Sequence, residues 1–313
     1  MLCSPAAYAS GGAAWTRLAP GLEVVTLANG DEPAPDDLER IEVVHFSADL
    51  YPTRTAAFLR AANRARNVRW FHSFSAGTDH PVFRSFVERG VRLTTSAGSS
   101  AVPIAHSVLL HLLSMCRNVR AFDAAQREHR WQPLDNADLE GRVVGVIGMG
   151  SIGAQVARLA QQFGMRAIGT RRHPTGEEPC EIWSPDRLPD LLAIVDDLVL
   201  AAPLTDETRR MIGAAELAAL RPGAHLVNVG RGELIDEPAL VDALTRGPLG
   251  AACLDVFVTE PLPADSPLWD LPNVTITPHA AAGTPVTRRR ADEAFTDNLG
   301  RYVRGEALRN EVR

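Results

Sequence analysis

Three side chains with complementary chemistry follow similar stretches in the second half of the sequence. Arg231, Glu260 and His279 each stand just beyond a short apolar run of strand type. The runs cover residues 225–229, 251–257 and 274–277. Because ligands of open parallel sheets bind beyond the carboxyl ends of the strands, three residues placed in this way could converge on one site.

Together, these side chains could transfer a proton to a bound 2-oxoacid. An arginine binds a carboxylate and can polarise a carbonyl, while a histidine titrates near neutrality and can give or take a proton. A neighbouring carboxylate orients the imidazole and favours its protonated form. Taken singly, however, each residue is more often a loop charge, a surface turn or a packing residue. The prediction of catalysis therefore depends on a site for a hydride donor.

A glycine-rich motif predicts that site. The apolar run 143–147 is followed directly by the motif Gly-Met-Gly-Ser-Ile-Gly at 148–153 and then by a helical pattern. This is G-x-G-x-x-G in the strand–turn–helix context that it requires. Gly148 permits the tight turn, Gly150 lets a pyrophosphate approach the backbone, and Gly153 lets the helix pack closely. We predict dinucleotide binding at the helix N-terminus; a glycine-rich turn without a ligand is the alternative.

The residues after the next predicted strand bear on the choice of coenzyme. That strand ends in Thr170, Arg171 and Arg172, and no acidic residue lies between Gly153 and Thr175. NAD sites commonly carry an acidic residue about 20 residues after the motif, where it binds the ribose 2′-hydroxyl. Two guanidinium groups instead suit a 2′-phosphate. We therefore predict NADP(H), with NADPH preferred; NAD is the alternative, with the arginines forming a solvated loop.

Alternating strand and helix patterns run along most of the chain and predict an α/β fold. Predicted strands cover 22–27, 42–46, 69–71 and 91–95; predicted helices cover 53–66, 81–89, 101–120 and 285–304. A second alternating series begins at Arg142. Two doubly wound parallel-sheet domains are therefore expected, and the last helix could return to the first of them.

Composition excludes several classes of protein. The 313 residues carry a net charge of 32 − 38 = −6, so there is no basic excess for nucleic acid. The four cysteines are scattered singly, which argues against a disulfide framework or a metal site and favours the cytoplasm. The longest apolar stretch, 101–116, is too short and too polar to span a membrane. The N-terminus lacks a charged segment and a long apolar segment, so we expect no signal peptide.

Six stretches, taken in order, resemble the D-isomer-specific 2-hydroxyacid dehydrogenase family over nearly the whole chain. They are Ser75–Asp79, Gly148–Gly153, Ala202–Thr205 with Thr208, Val227–Asp236, Asp255–Pro263 and Pro267–Thr284. The resemblance implies two Rossmann-like domains with a cleft between them. Residues 1–98 plus 284–313 would form the substrate domain, and residues 99–283 the dinucleotide-binding domain.

The resemblance also implies roles for individual residues. Arg231 would bind the substrate carboxylate and carbonyl, His279 would be the acid/base, and Glu260 its partner. The amides of Ala76 and Gly77 would help to hold the carboxylate. The cofactor would be lined by further residues, namely Ser151, Ile152, Ala202, Pro203, Thr208, Val229, Gly230, Asp255 and Ala281.

Two further features concern the branch and the assembly. The turn Thr170–Arg172 resembles that of the NADPH-using glyoxylate/hydroxypyruvate reductase branch. His106 stands where the family usually carries a glutamate, which puts local helix or interface contacts in doubt. The family's helix beginning near Ser99 commonly lies in a dimer interface, so a homodimer is expected.

Two other functions remain open. An NAD-linked D-2-hydroxyacid dehydrogenase would have the same fold and run in the opposite direction. A corepressor-like protein would use nucleotide binding as a sensor and act through partners.

Overall fold

The computed structural model describes residues 1–28, 32–78 and 81–312, and the chain divides into two compact units. Met1–Ser100 and Gly283–Arg313 form the first unit, and Ala101–Ala282 form the second. The boundary expected between residues 98 and 99 therefore lies between 100 and 101, and the one expected after 283 lies after 282. The proposed role of the first unit in substrate binding stays a prediction.

The first unit contains a five-stranded parallel sheet in the order β2-β1-β3-β4-β5. Its strands are β1 Leu2–Cys3, β2 Val25–Thr26, β3 Val43–Phe46, β4 Trp70–Ser73 and β5 Arg92–Thr95. Its helices are α1 Pro5–Leu18, α2 Pro35–Arg40, α3 Thr55–Arg64, α4 Pro81–Glu88 and, from the end of the chain, α11 Pro285–Val303. The last helix thus packs within the first unit, against α1.

The sequence pattern missed the beginning of this unit. The strand predicted at 22–27 is only Val25–Thr26, and β1 and α1 were not predicted. A two-residue strand is too short to show periodicity, and the glycines at 11 and 12 lower the helix propensity of α1. The helix instead begins at Pro5 after the cap Ser4, whose Oγ accepts a hydrogen bond from the Ala7 amide at 3.0 Å.

The second unit contains a seven-stranded parallel sheet in the order β12-β11-β10-β9-β6-β7-β8. Its strands are β6 Val143–Ile147, β7 Arg166–Thr170, β8 Glu181–Trp183, β9 Asp197–Leu200, β10 Ala224–Asn228, β11 Leu249–Leu254 and β12 Val274–Ile276. Its helices are α5 Ala101–Cys116, α6 Val119–Arg127, α7 Ser151–Gln162, α8 Leu188–Leu192, α9 Ala214–Ala218 and α10 Glu237–Arg246. The predicted α/β fold with two parallel sheets is confirmed.

The long helix predicted over 101–120 was wrong at its end. Helix α5 ends at Cys116, and α6 begins at Val119. Asn118, between them, has a φ of 51°, a left-handed conformation that interrupts a right-handed helix and that asparagine tolerates. Its side-chain amide donates to the Asp135 carbonyl at 2.8 Å, which attaches the polar segment after α6 to this break.

The sheet of the second unit is buried on both faces, as expected for parallel strands connected by helices. Two apolar clusters occupy the two faces: one contains Leu198 and Leu200, and the other contains Val144 and Val146. The strand order reverses between β6 and β9, and the glycine-rich turn follows β6 directly. This core therefore holds the turns beyond β6, β9, β10, β11 and β12 in fixed positions. Among the described residues, no helix is both long enough and apolar enough to cross a membrane.

Candidate active site

The glycine-rich turn has the geometry of a dinucleotide cradle. Gly148 has a φ of 97°, and a Cβ there would lie 2.5 Å from the Ala202 backbone. A Cβ on Gly153 would overlap the Gly148 carbonyl, so the helix can approach its own turn only without a side chain. At Gly150, by contrast, an added Cβ would meet no atom within 4 Å. The open face of the turn therefore lies at Gly150, at the N-terminus of α7, where the phosphates of a dinucleotide fit.

Two other turns pack beside this one. Ala202 and Pro203 follow β9, and Thr208 closes their loop by donating from Oγ1 to the Pro203 carbonyl at 2.7 Å. A Cβ on Gly230, beyond β10, would lie 3.0 Å from the Ala202 carbonyl oxygen. The turns after β6, β9 and β10 are thus brought together, as the sequence prediction of the cofactor residues required.

Both arginines at the end of β7 are engaged with other groups. Arg171 donates from Nη1 to the Met149 carbonyl at 2.9 Å and lies 3.2 Å from Glu178. Hydrogen bonds, above all from the Thr175 amide, lower the pKa of Glu178 to about 2 despite the opposing effect of burial, so this carboxylate is charged. Arg172 forms an ion pair with Glu207. A coenzyme phosphate at Arg172 would therefore have to compete with the Glu207 carboxylate. The sequence did not reveal this ion pair.

Arg231 is placed by a tightly packed loop beyond β10. Its carbonyl accepts from the Asn228 side-chain amide at 2.9 Å, and the Asn228 Oδ1 accepts from the Gly230 amide at 3.0 Å. A Cβ on Gly232 would overlap the backbone of Phe257 and Val258 beyond β11. Glycine at 232 therefore lets the loop that carries Arg231 touch the loop that leads to Glu260.

His279 and Glu260 form the central contact of the site. The His279 Nδ1 lies 2.8 Å from the Glu260 Oε2, and the Glu260 Oε1 accepts from the Phe257 amide at 3.0 Å. Both carboxylate oxygens are thus used, and Nδ1 is assigned as the protonated nitrogen because the carboxylate can only accept. The arrangement leaves the other nitrogen, Nε2, as the one that does not face Glu260.

Asp255 holds the turn that carries His279. The residue is 4% exposed, and its carboxylate accepts from the Thr277 hydroxyl at 2.5 Å and from the Ala280 and Ala281 amides at 2.9 and 3.1 Å. His279 has a φ of 50°, and its amide donates to the Asp255 carbonyl at 2.8 Å. In the structure Asp255 holds the His279 turn in place, and its predicted role in lining the cofactor stays a prediction.

The electrostatics of the pair favour an ionised Glu260. Burial by itself would raise its pKa, but hydrogen bonds from His279 and Phe257 and the nearby charge of Arg231 lower the pKa below its ordinary value. A carboxyl whose folded-state pKa is depressed stabilises the fold above its unfolded pKa and loses this contribution as pH falls through the folded value.

Glu260→Gln should weaken this pair and change its response to acid. Glutamine has one acceptor oxygen where the carboxylate uses two, so one of the two contacts is lost. We expect kcat to fall by at least about tenfold. The difference in free energy of unfolding between wild type and variant should be constant above about pH 5 and shrink below the ordinary glutamate pKa of about 4.3. Urea unfolding of both proteins across this pH range measures the difference. A difference that stays constant below about pH 4 would contradict a depressed pKa of Glu260.

The predicted substrate loop lies in the first unit. Ala76 and Gly77 follow β4, in a turn where the Ser75 hydroxyl donates to the Gly77 carbonyl at 2.9 Å. Asp79, the last residue of this stretch of resemblance, lies outside the described residues. The part that the Ala76 and Gly77 amides would play in carboxylate binding stays a prediction.

Similarity to known proteins shows which family the chain belongs to. Residues 109–281 match the family model described as D-isomer specific 2-hydroxyacid dehydrogenase, NAD binding domain. A glyoxylate reductase of Korarchaeum cryptofilum is 36% identical over 257 residues, covering 79% of this chain and 77% of the relative. The chain belongs to the D-isomer specific 2-hydroxyacid dehydrogenase family.

Further similarities support this membership. A glyoxylate/hydroxypyruvate reductase B of Pectobacterium atrosepticum is 37% identical over 263 residues, covering 82% of this chain and 81% of the relative. A family member from Xanthobacter autotrophicus, crystallised with NADPH and MES, is 32% identical with a TM-score of 0.80, covering 96% of this chain and 93% of that one. The chain is therefore an NAD(P)-dependent oxidoreductase of the 2-hydroxyacid dehydrogenase type, which acts on a CH-OH group.

Proposed function

We propose that this family member is an NADPH-preferring reductase of a small 2-oxoacid of the glyoxylate or hydroxypyruvate type. The observation that carries the proposal is the His279–Glu260 hydrogen bond of 2.8 Å, in the unit that also holds Arg231 and the glycine-rich turn. The names of the relatives from Korarchaeum and Pectobacterium support the substrate class. The complex of the Xanthobacter protein with NADPH supports the coenzyme.

The coenzyme would bind along the turns beyond β6, β7, β9 and β10. The open face at Gly150 and the free amides of the first turn of α7 would hold the pyrophosphate, and Arg171 and Arg172 would meet the 2′-phosphate. Further contacts are proposed for the residues of the flanking turns, namely Ser151, Ile152, Thr170, Ala202, Pro203, Thr208, Val229, Gly230, Asp255 and Ala281. When bound, a reduced nicotinamide supplies the hydride.

The protein's own groups perform the rest of the proposed reduction. Arg231 binds the substrate carboxylate and polarises the carbonyl through its guanidinium group. His279 donates the Nε2 proton to the carbonyl oxygen as negative charge develops there. Glu260 keeps the ring oriented and stabilises its cationic form before the transfer. Afterwards the neutral imidazole takes up a proton from solvent, and the reverse sequence serves oxidation of the hydroxyacid.

The ion pair between Arg172 and Glu207 makes coenzyme preference testable. Arg172→Gln should lower kcat/KM for NADPH by about 10- to 100-fold and leave NADH nearly unchanged, because a charge-assisted contact of about 1.5–3 kcal/mol is lost. Glu207→Gln should raise the NADPH to NADH ratio, because it releases the guanidinium. Arg158→Gln, which removes an exposed arginine of α7, is the matched control. An Arg172→Gln enzyme with the wild-type ratio would rule out this contact.

The proposal as a whole is tested by a substrate panel with both coenzymes. We expect glyoxylate or hydroxypyruvate with NADPH to give a higher kcat/KM than pyruvate, phenylpyruvate or any substrate with NADH. Equal kcat/KM with NADH and NADPH would favour the NAD-linked alternative, for which the engagement of both arginines with carboxylates is the supporting observation. Tight NADPH binding without turnover on any 2-oxoacid would favour the corepressor-like alternative.

A homodimer is also proposed. Helix α5 exposes Leu110 at 62%, and Val119 of α6 and Trp131 are exposed at 50% and 97%. Exposed apolar side chains of this size support the proposal because their burial at an interface would be favourable. Sedimentation of the purified chain would measure the assembly, and a monomer at micromolar concentration would contradict the proposal. A cytoplasmic location stays a prediction from the scattered cysteines.

A further inference from the structure

A crevice of about 640 Å³ lies in the first unit and is lined by none of the groups named in the reductase site. It is walled by α1, the segment that follows β3 and α11. The order β2-β1-β3-β4-β5 reverses between β1 and β3, and the crevice lies beside the segments that follow these two strands. Such a switch point is where open parallel sheets bind ligands, and the volume is in the range of small-molecule sites.

Small residues keep the α1 wall open. The side of α1 that faces the crevice carries only small residues: Ala6, Ala7, Ser10, Gly11 and Ala14. At Gly11 an added Cβ would overlap the buried Trp15 ring, so no larger residue fits there without moving the tryptophan. Apart from Ser10 this wall is apolar, and it offers hydrocarbon contact to a ligand.

The opposite wall, on α11, carries two opposite charges without counter-charges. Arg288 and Asp292 are spaced i,i+4, a spacing at which opposite charges commonly pair on a helix. In the described part of the chain, however, Arg288 has no ion pair, and the only basic side chain within ion-pair distance of Asp292 is His45. The neighbouring Arg289 and Glu293 already pair with each other at 3.6 Å.

Asp49, a third carboxylate of the crevice beside Asp292 and Glu293, is already neutralised. It forms an ion pair with Arg54 and accepts hydrogen bonds from the hydroxyls of Ser4 and Ser47 at 2.8 and 2.6 Å. The charges left for a ligand are therefore the guanidinium of Arg288 and the carboxylate of Asp292.

His45 does not balance the charge of Asp292. Its ring is completely buried and stacks on Phe295 with 3.9 Å between ring centroids. Its Nε2 lies 3.6 Å from the Asp292 Oδ1, too far for a hydrogen bond, and neither ring nitrogen has a hydrogen-bond partner among the described residues. Burial lowers the pKa of His45, against the opposing effect of Asp292, and so favours the neutral ring.

We propose that this crevice binds a free α-amino acid with an apolar side chain. The ligand carboxylate pairs with Arg288, the ammonium group pairs with Asp292, and the side chain packs against the alanines of α1. A zwitterion satisfies both unpaired charges at once, whereas a simple anion or a simple amine would leave one of them unpaired. The site goes beyond the proposed reductase and does not depend on it.

Isothermal titration calorimetry with the intact chain, without coenzyme or 2-oxoacid, tests the site. The probes are L-leucine, isocaproate, which lacks the amino group, and isoamylamine, which lacks the carboxylate. We expect saturable binding of leucine and at least about tenfold weaker binding of the two fragments, since each loses a charge-assisted contact. Arg288→Gln and Asp292→Asn should each weaken leucine binding by about tenfold or more. Arg290→Gln, on the same helix but outside the crevice, should bind leucine like the wild type.

Three outcomes would overturn the site. They are no binding of leucine by the wild type at millimolar concentrations, equal binding of leucine and isocaproate, and unchanged leucine affinity in both crevice variants. A thermal unfolding curve for each variant verifies that it is folded. Because the assay contains neither reductase substrate, a negative result here leaves the proposed reductase untouched, and inactivity of the reductase leaves this site untouched.

Discussion

His279→Asn should lower kcat for 2-oxoacid reduction by about 10²- to 10⁴-fold while changing the Kd for NADPH by less than about twofold. The variant removes the only proton donor assigned to the carbonyl oxygen. Asparagine tolerates the left-handed conformation in which His279 stands, at a φ of 50°, so the turn held by Asp255 should persist. Steady-state kinetics and fluorescence titration with NADPH measure the two quantities.

His129→Asn is the matched control for this substitution. His129 also has a positive φ, of 54°, and is exposed after α6, so the same change is made at the same backbone conformation. We expect wild-type kinetics from it. A His279→Asn enzyme that keeps its turnover would refute the acid/base assignment, and a loss of NADPH affinity would show that His279 acts on the coenzyme instead.

Gly232→Ala should destabilise the fold by about 3 kcal/mol or more, because overpacking against immobile backbone has no low-energy relief. The added Cβ would overlap the backbone of Phe257 and Val258, and only a displacement of one of the two loops could make room for it. That displacement would separate Arg231 from the Glu260 loop, so activity should fall even in the folded fraction. Urea unfolding and kcat/KM are the measurements.

Gly150→Ala, at a second glycine of the same unit, should have the opposite outcome: little effect on stability and a loss of coenzyme affinity. An added Cβ meets nothing within 4 Å at Gly150, and its φ of −87° suits any residue. The free energy of unfolding should therefore stay within about 0.5 kcal/mol of wild type. NADPH affinity should fall, because the methyl group occupies the open face proposed for the pyrophosphate. Equal stability losses in the two variants would contradict the geometry described for both glycines.

The parts of the fold that could be predicted are those with long or well-marked patterns. Strand β6 and helix α7 were predictable because an uninterrupted apolar run, three glycines and a helical pattern follow one another. Strand β1 was not, since two residues show no periodicity, and the break at Asn118 depends on a single backbone conformation. The return of the C-terminal helix α11 to the first unit depends on tertiary packing against α1, which no local pattern encodes.

The candidate site likewise has features that the sequence could predict and features that it could not. The placement of Arg231, Glu260 and His279 was predictable because each follows a strand, and adjacent parallel strands bring their carboxyl ends together; their catalytic roles stay a prediction. The contact between Gly232 and Phe257 was not, because it depends on how two loops cross. The pairing of Arg172 with Glu207 likewise joins two loops that are distant in the sequence, although the arginines themselves were evident.

The proposed reduction is tested most sharply by following the hydride itself. Hydroxypyruvate is incubated with NADPH that carries deuterium at the transferable position of the nicotinamide, and the product is analysed by mass spectrometry and chiral chromatography. We expect D-glycerate with one deuterium on the carbon that bears the new hydroxyl, formed by the wild type and nearly absent with His279→Asn. Oxidation of NADPH without labelled hydroxyacid, or no oxidation with any 2-oxoacid, would contradict the proposed reduction.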